Sequence, residues 1–244
     1  MNKPHEARIA LVTGASRGIG RSVALALAAA GAHVVAVART QGGLEELDDE
    51  IRKLGGEATL VPLDLKDGAG IDRLGAAIYE RWGKLDVFFA NAAMLGVITP
   101  IAHLEPKVAD NVMAVNVTAN LRLVRSLDPL LRASDAGRVL FMSSGAAATC
   151  PPYWGIYSIS KSALEALART YAAETRQSAV RVNIFNPGAT RTRMRAEAMP
   201  GERPEMLKPV EALNADIVRM LSPEFTETGT LFDFPTGKST ALLR

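Results

Sequence analysis

A glycine-rich turn between the first apolar run and the first helical pattern restricts the fold more than any other stretch. The apolar run covers residues 7–13, the turn 14–20 and the helical pattern 21–30, and a second apolar run follows at 32–38. Short apolar runs bounded by glycine are typical of strands buried on both faces, and strand–helix–strand repeats form parallel sheets. The alternation continues to a last apolar run at 229–234. The sequence therefore predicts an α/β fold with one doubly wound parallel sheet of about seven strands.

Composition limits the classes of partner. The 244-residue chain has no internal repeat or linker, so we predict one domain over residues 1–244. The formal net charge of +2 does not indicate nucleic-acid binding. A single cysteine and three scattered histidines provide neither an intrachain disulfide nor a metal-ligand cluster. With no signal-peptide pattern and no membrane-spanning apolar stretch, we expect a cytoplasmic protein without a metal, nucleic-acid or membrane partner.

The turn itself predicts an anion site. Gly14, Gly18 and Gly20 precede a helix, where free backbone N–H groups and the helix dipole favour a pyrophosphate. The spacing is GxxxGxG, and a tight turn with glycine packing is the alternative interpretation. The strand before the turn and the helix and strand after it favour the phosphate interpretation.

The end of the second strand predicts which dinucleotide binds. An acidic residue near this position holds the ribose 2′-OH of NAD in many such folds, but this chain has Arg39 and Thr40 there. Arg39 could form a forked contact with a 2′-phosphate, and Arg17 in the turn could approach the same group. Either arginine alone could be a solvated surface charge. Together they predict NADP as the preferred cofactor, with NAD as the alternative.

Polar residues follow several predicted strands. Asp64 follows the third strand, Asn91 the fourth and Ser144 the fifth, and Asn116 lies in a long helical pattern at about 105–133. Because the carboxyl ends of parallel strands share one edge of a sheet, these strand-end side chains are expected to meet a ligand there. Asp64 could instead cap the next helix, and Asn116 could be an exposed residue in mid-helix.

Tyr157 and Lys161 lie four residues apart at the start of a helical pattern. Residues at this spacing are neighbours on a helix, about 5–6 Å apart at Cβ. An ammonium beside a phenol favours the phenolate and lowers the phenol's pKa. A bare YxxxK match is more often a surface pair. With Ser144 at the preceding strand end, the pair predicts a reaction centre for hydride transfer to or from a carbonyl.

Two further segments are candidates for the part of the site that contacts the substrate. Residues 189–209 are polar, basic and broken by proline, which predicts a substrate lid. The basic run 191–195 could attract an anionic substrate, but a solvated face is the preferred interpretation. The run 151–154, with two prolines and two aromatic residues, predicts a pocket wall, and a packed loop is an equal alternative.

Taken in order, these pieces resemble the short-chain dehydrogenase/reductase family, in its ordinary compact type and as an NADP-preferring bacterial-like member. The resemblance covers nearly the whole chain, to about Phe234. The matching pieces are Thr13–Gly20, Asp64–Leu65, Asn91–Ala93, Asn116, Ser144, Tyr157–Lys161 and Asn186–Gly188.

The resemblance implies four catalytic residues. Tyr157 would be the general acid in reduction and the base in oxidation. Lys161 would lower the pKa of Tyr157 and bond the nicotinamide ribose. Ser144 would orient the substrate oxygen, and Asn116 would hold a water in a proton relay.

The resemblance also implies the cofactor-binding residues. Asp64 and Leu65 would flank the adenine, and Asn91 and Ala92 would reach the adenosine ribose side. The segment 187–192 would frame the carboxamide. The full implied set is Gly14, Ser16, Arg17, Gly18, Ile19, Gly20, Arg39, Asp64, Leu65, Asn91, Ala92, Ala93, Tyr157, Lys161, Pro187, Gly188, Thr190 and Thr192. Similar proteins are usually homodimers or homotetramers that use the long helices.

Two departures and two alternatives accompany the resemblance. Ala93 stands where the family commonly has glycine, and Phe234–Pro235 replaces a glycine pair after the last strand. The leading hypothesis is an NADP-dependent oxidoreductase that acts on a small-molecule carbonyl or alcohol. A non-catalytic NADP-binding regulatory protein is the alternative, although such proteins usually lack the tyrosine or the lysine. An epimerase or dehydratase is less favoured, because the chain has no separate substrate domain.

Overall fold

One sheet organises the protein, whose computed structural model describes residues 5–243. Within that range eight strands pair in the order β3-β2-β1-β4-β5-β6-β7-β8. The first seven run parallel, and β8 is antiparallel to β7. The strands are β1 Ile9–Thr13, β2 His33–Ala38, β3 Ala58–Pro62, β4 Val87–Ala90, β5 Arg138–Met142, β6 Arg181–Asn186, β7 Thr230–Asp233 and β8 Lys238–Ala241. The predicted doubly wound α/β fold is confirmed.

Helices cover both faces of the sheet. They are α1 Gly18–Ala29, α2 Gln41–Lys53, α3 Gly68–Trp82, α4 Pro106–Met113, α5 Ala119–Arg132, α6 Ala146–Thr149, α7 Gly155–Glu174, α8 Arg193–Ala198 and α9 Asn214–Met220. Apolar residues of α1, α2 and α9 pack with one face of the central strands, and those of α3, α5 and α7 pack with the other. Because both faces are covered, all five residues of β1 are buried, which explains its continuous apolar run.

The long helical pattern at 105–133 does not form one regular α-helix. A π-helical turn, Ala114–Thr118, separates α4 from α5. Such turns insert an extra residue into a helix and occur often at functional sites. The hydrophobic periodicity of the two flanking helices concealed this interruption.

The eighth strand was not predicted. The residues of β8 have the sequence KSTA and are all exposed, and they pair only with β7 at the edge of the sheet. A strand held only by backbone hydrogen bonds to one neighbour needs no apolar face. The tail therefore lacked the alternation that identifies a strand from sequence.

Asp86 lies just before the amino end of β4 and connects the elements that meet there. Its carboxylate accepts hydrogen bonds from the Ile9 backbone N–H at 2.9 Å, the Ser134 hydroxyl at 2.6 Å and the Lys84 ammonium at 3.1 Å. Only 1% of Asp86 is exposed. Since the buried Ile9 N–H and Ser134 hydroxyl lose this acceptor when the carboxylate is removed, Asp86 stabilises the junction of β1, β4 and the loop after α5.

We expect Asp86→Ala to lower the free energy of unfolding by about 3 kcal/mol, as removal of one partner from a buried charged network does. Urea denaturation followed by circular dichroism measures the loss. Asp86→Asn keeps an acceptor at the same place and should lose less. If the alanine variant lost under about 1 kcal/mol, the network would not stabilise the fold as argued.

Candidate active site

The carboxyl ends of the central strands open into one cavity of about 360 Å³. Nearly all of the residues that the sequence singled out line it. They are Gly14, Ser16, Arg17, Gly18, Ile19, Arg39, Asp64, Leu65, Asn91, Ala92, Ala93, Ser144, Tyr157, Lys161, Pro187, Gly188, Thr190 and Thr192. Gly20 and Asn116 lie behind this lining and do not contribute to it.

Backbone geometry explains the glycines of the first turn. Gly14 and Gly18 have φ of +69° and +57°, a conformation that favours glycine. Gly20 sits inside α1 against the strand, where an added Cβ would collide with the Gly14 carbonyl oxygen. Asn91 donates from Nδ2 to the Thr13 carbonyl at 2.9 Å and holds this close approach. Gly20 thus shapes the turn without facing the cavity.

The turn has the features of a phosphate cradle. α1 begins without a side-chain cap and without an acidic residue in its first turn, so its first N–H groups are available to an anion. Arg17 and Arg39 line the same cavity and are exposed. Among residues 5–243 neither has a carboxylate partner within 4 Å. Free N–H groups and two unengaged guanidinium groups fit the phosphates of NADP.

Asp64 faces the cavity and does not cap a helix. Its Oδ1 accepts from the Lys66 backbone N–H at 3.0 Å in the turn after β3. The cap of α3 is Asp67, whose side chain accepts from the Gly70 N–H at 2.9 Å. The alternative interpretation of Asp64 as an N-cap is therefore wrong. Leu65 beside it is 7% exposed and joins the core under the cavity floor.

Ser144, Tyr157 and Lys161 come together at one end of the cavity. Ser144 follows β5, and the other two lie on the first turns of α7. The Lys161 ammonium donates to the Met142 carbonyl at 2.7 Å and lies 5.7 Å from the centroid of the Tyr157 ring. The Ser143 hydroxyl donates to Glu165 Oε1 at 2.5 Å, which ties the end of β5 to α7 one turn beyond Lys161.

Burial dominates the titration of these groups. It raises the pKa of Tyr157 to about 12, and a hydrogen bond with Ser144 opposes the rise. It also lowers the pKa of Lys161 to about 8, against the attraction of Glu165. Tyr157 is 8% exposed and Lys161 2%, so both charged forms lose hydration. In the polypeptide by itself burial thus raises the pKa of Tyr157, and its depression by Lys161 together with a bound cationic ligand stays a prediction.

Asn116 lies within the π-helical turn and is fully buried. Its side chain accepts from the Met94 N–H at 2.7 Å and donates to the Met94 carbonyl at 2.9 Å and to the Ser160 hydroxyl at 2.9 Å. Its own carbonyl accepts from Asn120 Nδ2 at 2.9 Å. The alternative of an exposed asparagine is wrong, and Asn116 braces the loop after β4 against α7.

The predicted lid contains a short helix, α8. Thr190 forms an isolated parallel bridge with Lys208, so the ends of the segment are close together. Met194, Arg195 and Ala198 line the cavity. The segment is thus partly helical and contributes to the cavity lining, and its role as a lid stays a prediction.

Of the predicted wall, only Trp154 reaches the cavity. Tyr153 is 59% exposed and points elsewhere. At the C-terminal side, Pro235 packs against Gly188, close enough to collide with an added Cβ there. The Phe234–Pro235 departure therefore covers the Pro187–Gly188 turn directly.

Several lining residues were not predicted. They are Val37, Ala38, Thr40, Leu63, Met94, Leu95, Val115, Met142 and Ser143, whereas Arg193, Met194, Arg195 and Ala198 belong to the predicted lid. Most are strand-end neighbours of predicted residues, and position at a strand end could have identified them. Thr13 was quoted only within the glycine motif, but its hydroxyl accepts from the Asn91 and Ala92 N–H groups at 3.0 and 3.1 Å.

Residues 5–243 contain neither a candidate metal-ligand group nor a helix that could span a membrane. No group of three or more His, Cys, Asp or Glu side chains in that range could hold a metal ion. None of the helices there is long and apolar enough to cross a bilayer.

Known proteins resemble this chain in sequence and in fold. The family model for short chain dehydrogenase matches residues 8–203. The uncharacterized oxidoreductase YciK of Escherichia coli is 37% identical over 235 residues, 95% of this chain and 93% of YciK. An uncharacterized NAD-dependent oxidoreductase of Mycobacterium tuberculosis is 35% identical over 201 residues, 77% of this chain and 73% of that protein. A short chain dehydrogenase of Shigella flexneri, solved in complex with NADP, is 35% identical with a TM-score of 0.92, covering 96% of this chain and 99% of that one. The chain therefore belongs to the short-chain dehydrogenase family.

Proposed function

We propose that the protein is an oxidoreductase that transfers a hydride between NADP(H) and a carbonyl/alcohol substrate. The observation that carries this proposal is the grouping of Ser144, Tyr157 and Lys161 at one end of the cavity whose other end holds Arg17 and Arg39. Arg39 follows β2 and Ser144 follows β5, three strand spacings or about 14 Å apart. An extended dinucleotide could span that distance, with its phosphates over the glycine turn.

The arginines support NADP as the preferred dinucleotide. A 2′-phosphate beside Arg39 could accept a forked charge-assisted hydrogen bond, and Arg17 would add a second cation. Relatives with NADP bound and relatives named for NAD both occur in the family. The choice in this chain therefore depends on its own residues at the end of β2, where it has an arginine and no carboxylate.

The reacting end supports acid–base chemistry by Tyr157. When bound, NADPH supplies the hydride. The phenol is protonated at neutral pH and so carries the proton that it would donate to the substrate oxygen. Lys161, which faces the Tyr157 ring, would stabilise the phenolate as it forms. Ser144 could donate its hydroxyl hydrogen to the same oxygen and hold it near Tyr157.

The other roles stay predictions that the geometry accommodates. Asn116 positions the Met94 loop, and its part in holding a water of a proton relay stays a prediction. The segment 189–209 would act as the lid through α8. One domain over residues 1–244, a homodimer or homotetramer and a cytoplasmic location also stay predictions.

Initial-rate kinetics test the proposed function. Purified protein is assayed on a panel of aldehydes and ketones, with the loss of reduced nicotinamide followed by absorbance. We expect turnover with NADPH and a kcat/KM at least about tenfold above that with NADH, the ratio for one good charged contact. Equal use of NADH would contradict the cofactor assignment. Tight NADPH binding with no turnover on any substrate would favour the regulatory alternative.

A further inference from the structure

An apolar cluster packs against Tyr157, on the side away from Arg17 and Arg39. Leu95, Ala146 and Ala198 are buried in it, and Ile98, Trp154 and Met194 pack partly buried against them. The Trp154 ring meets the Tyr157 ring edge to face at 5.9 Å between centroids. Leu95, Trp154, Met194 and Ala198 also line the cavity. The reactive phenol thus stands at the edge of a hydrocarbon-lined space.

The charges near this space already have partners. Arg195 forms a forked pair with Glu202, at 2.5 Å from Nε and 2.7 Å from Nη2. Arg193 pairs with Glu197 at 2.8 Å. The acidic member of the cavity lining, Asp64, follows β3, four strand spacings or about 19 Å from the end of β5. The Lys161 ammonium at this end donates to the Met142 carbonyl at 2.7 Å. Beyond that ammonium and the hydroxyls of Ser144 and Tyr157, this end of the cavity therefore offers little to a charged or strongly polar group.

The wall is formed by two loops fixed to each other. Thr99 donates its backbone N–H to the Tyr153 carbonyl at 3.0 Å, and Ile101 packs against Gly155. Cys150 and Tyr153 have φ of +43° and +71°, which is uncommon for residues other than glycine. Strained conformations persist only where the surrounding structure holds them, so the Trp154 wall is preformed.

We propose that the substrate is an uncharged carbonyl compound, or the corresponding alcohol, with an apolar substituent that lies against Trp154, Leu95 and Met194. Its oxygen meets Ser144 and Tyr157. The proposal deepens the proposed function and depends on it for the reaction itself. Burial of hydrocarbon against this wall would supply the affinity, and the two hydroxyls would fix the orientation.

A homologous series of straight-chain aldehydes tests the proposal with NADPH present. We expect kcat/KM to rise by about fourfold for each added methylene until the wall is covered. Trp154→Ala should flatten this dependence, which is measured as the ratio of kcat/KM between the longest and the shortest aldehyde. Met194→Gln, which keeps the side-chain size and adds polarity, gives a second test if Trp154→Ala does not fold. Tyr79→Ala, an exposed aromatic on α3, is the control that should keep the full dependence.

Substrates that carry a negative charge test the same proposal from the opposite direction. A 2-oxo acid of the same carbon skeleton should be a poorer substrate than the neutral aldehyde. If the oxo acid were preferred and Arg193→Gln abolished that preference, the substrate would be anionic and the proposal would be overturned. An aldehyde series with no dependence on chain length would overturn it too.

Binding without reaction separates this proposal from the proposed function. Straight-chain primary amides, which are not reduced, are titrated in the presence of NADPH, with the thermal midpoint of unfolding as readout. We expect stabilisation that increases with chain length and is lost in Trp154→Ala. Chain-length-dependent binding of amides with no reduction of any aldehyde would contradict the catalytic proposal only. Reduction of aldehydes without chain-length dependence would contradict the substrate class only.

Discussion

Tyr157→Phe is expected to lower kcat for carbonyl reduction by about a thousandfold while the affinity for NADPH changes little. The substitution removes only the phenol oxygen, the proton donor of the proposed reaction, and a positioned general acid contributes about a hundredfold to ten-thousandfold. The ring remains to pack against Trp154, so the cavity should keep its shape. Steady-state kinetics and NADPH titration by fluorescence measure the two quantities separately.

Tyr171→Phe is a matched control on the same helix. The Tyr171 hydroxyl donates to Asp128 at 2.8 Å, and the residue is buried but lies outside the cavity. Its loss should reduce stability by about 1–2 kcal/mol without changing kcat at a temperature where both variants are folded. Activity that survived Tyr157→Phe and fell in Tyr171→Phe would contradict the assignment of the proton donor.

Arg39→Asp is expected to reverse the cofactor preference. We expect kcat/KM with NADPH to fall by at least about a hundredfold, since a charge-assisted contact is lost and a carboxylate now faces the 2′-phosphate. The value with NADH should fall less, or rise, because a carboxylate at this strand end can accept from the ribose 2′-OH. The measurement is the ratio of the two kcat/KM values for one substrate.

A change of charge alone must be separated from a local effect. Arg176→Asp makes the same substitution at an exposed position just past the end of α7, outside the cavity lining, and should leave the ratio unchanged. Arg17→Gln should lower the NADPH value by a smaller factor than Arg39→Asp. An unchanged ratio in Arg39→Asp would mean that another group recognises the dinucleotide.

Local patterns predicted much of the fold and of the site. The helix α3 begins after the cap at Asp67 and ends at the left-handed Gly83, and both are start and stop signals of the kind that a sequence shows. The glycine turn, Asp64, Asn91 and Ser144 meet at one edge, since parallel strands bring their carboxyl ends together. The π-helical turn at Asn116 and the edge strand β8 were not predictable, because neither follows a hydrophobic period.

The sequence by itself determined the order of strands and helices, the glycine turn and the side chains that gather at the sheet edge. These follow from hydrophobic periodicity and from backbone restrictions that act within a few residues. Only the tertiary structure shows that Tyr157 is buried, and this burial raises its pKa in the polypeptide by itself. The tertiary structure also decided that Arg195 is engaged by Glu202 and that hydrocarbon surrounds the phenol. Burial depends on segments distant in the chain, and the Arg195–Glu202 pair depends on how the turn after α8 folds, so hydrophobic periodicity encodes neither.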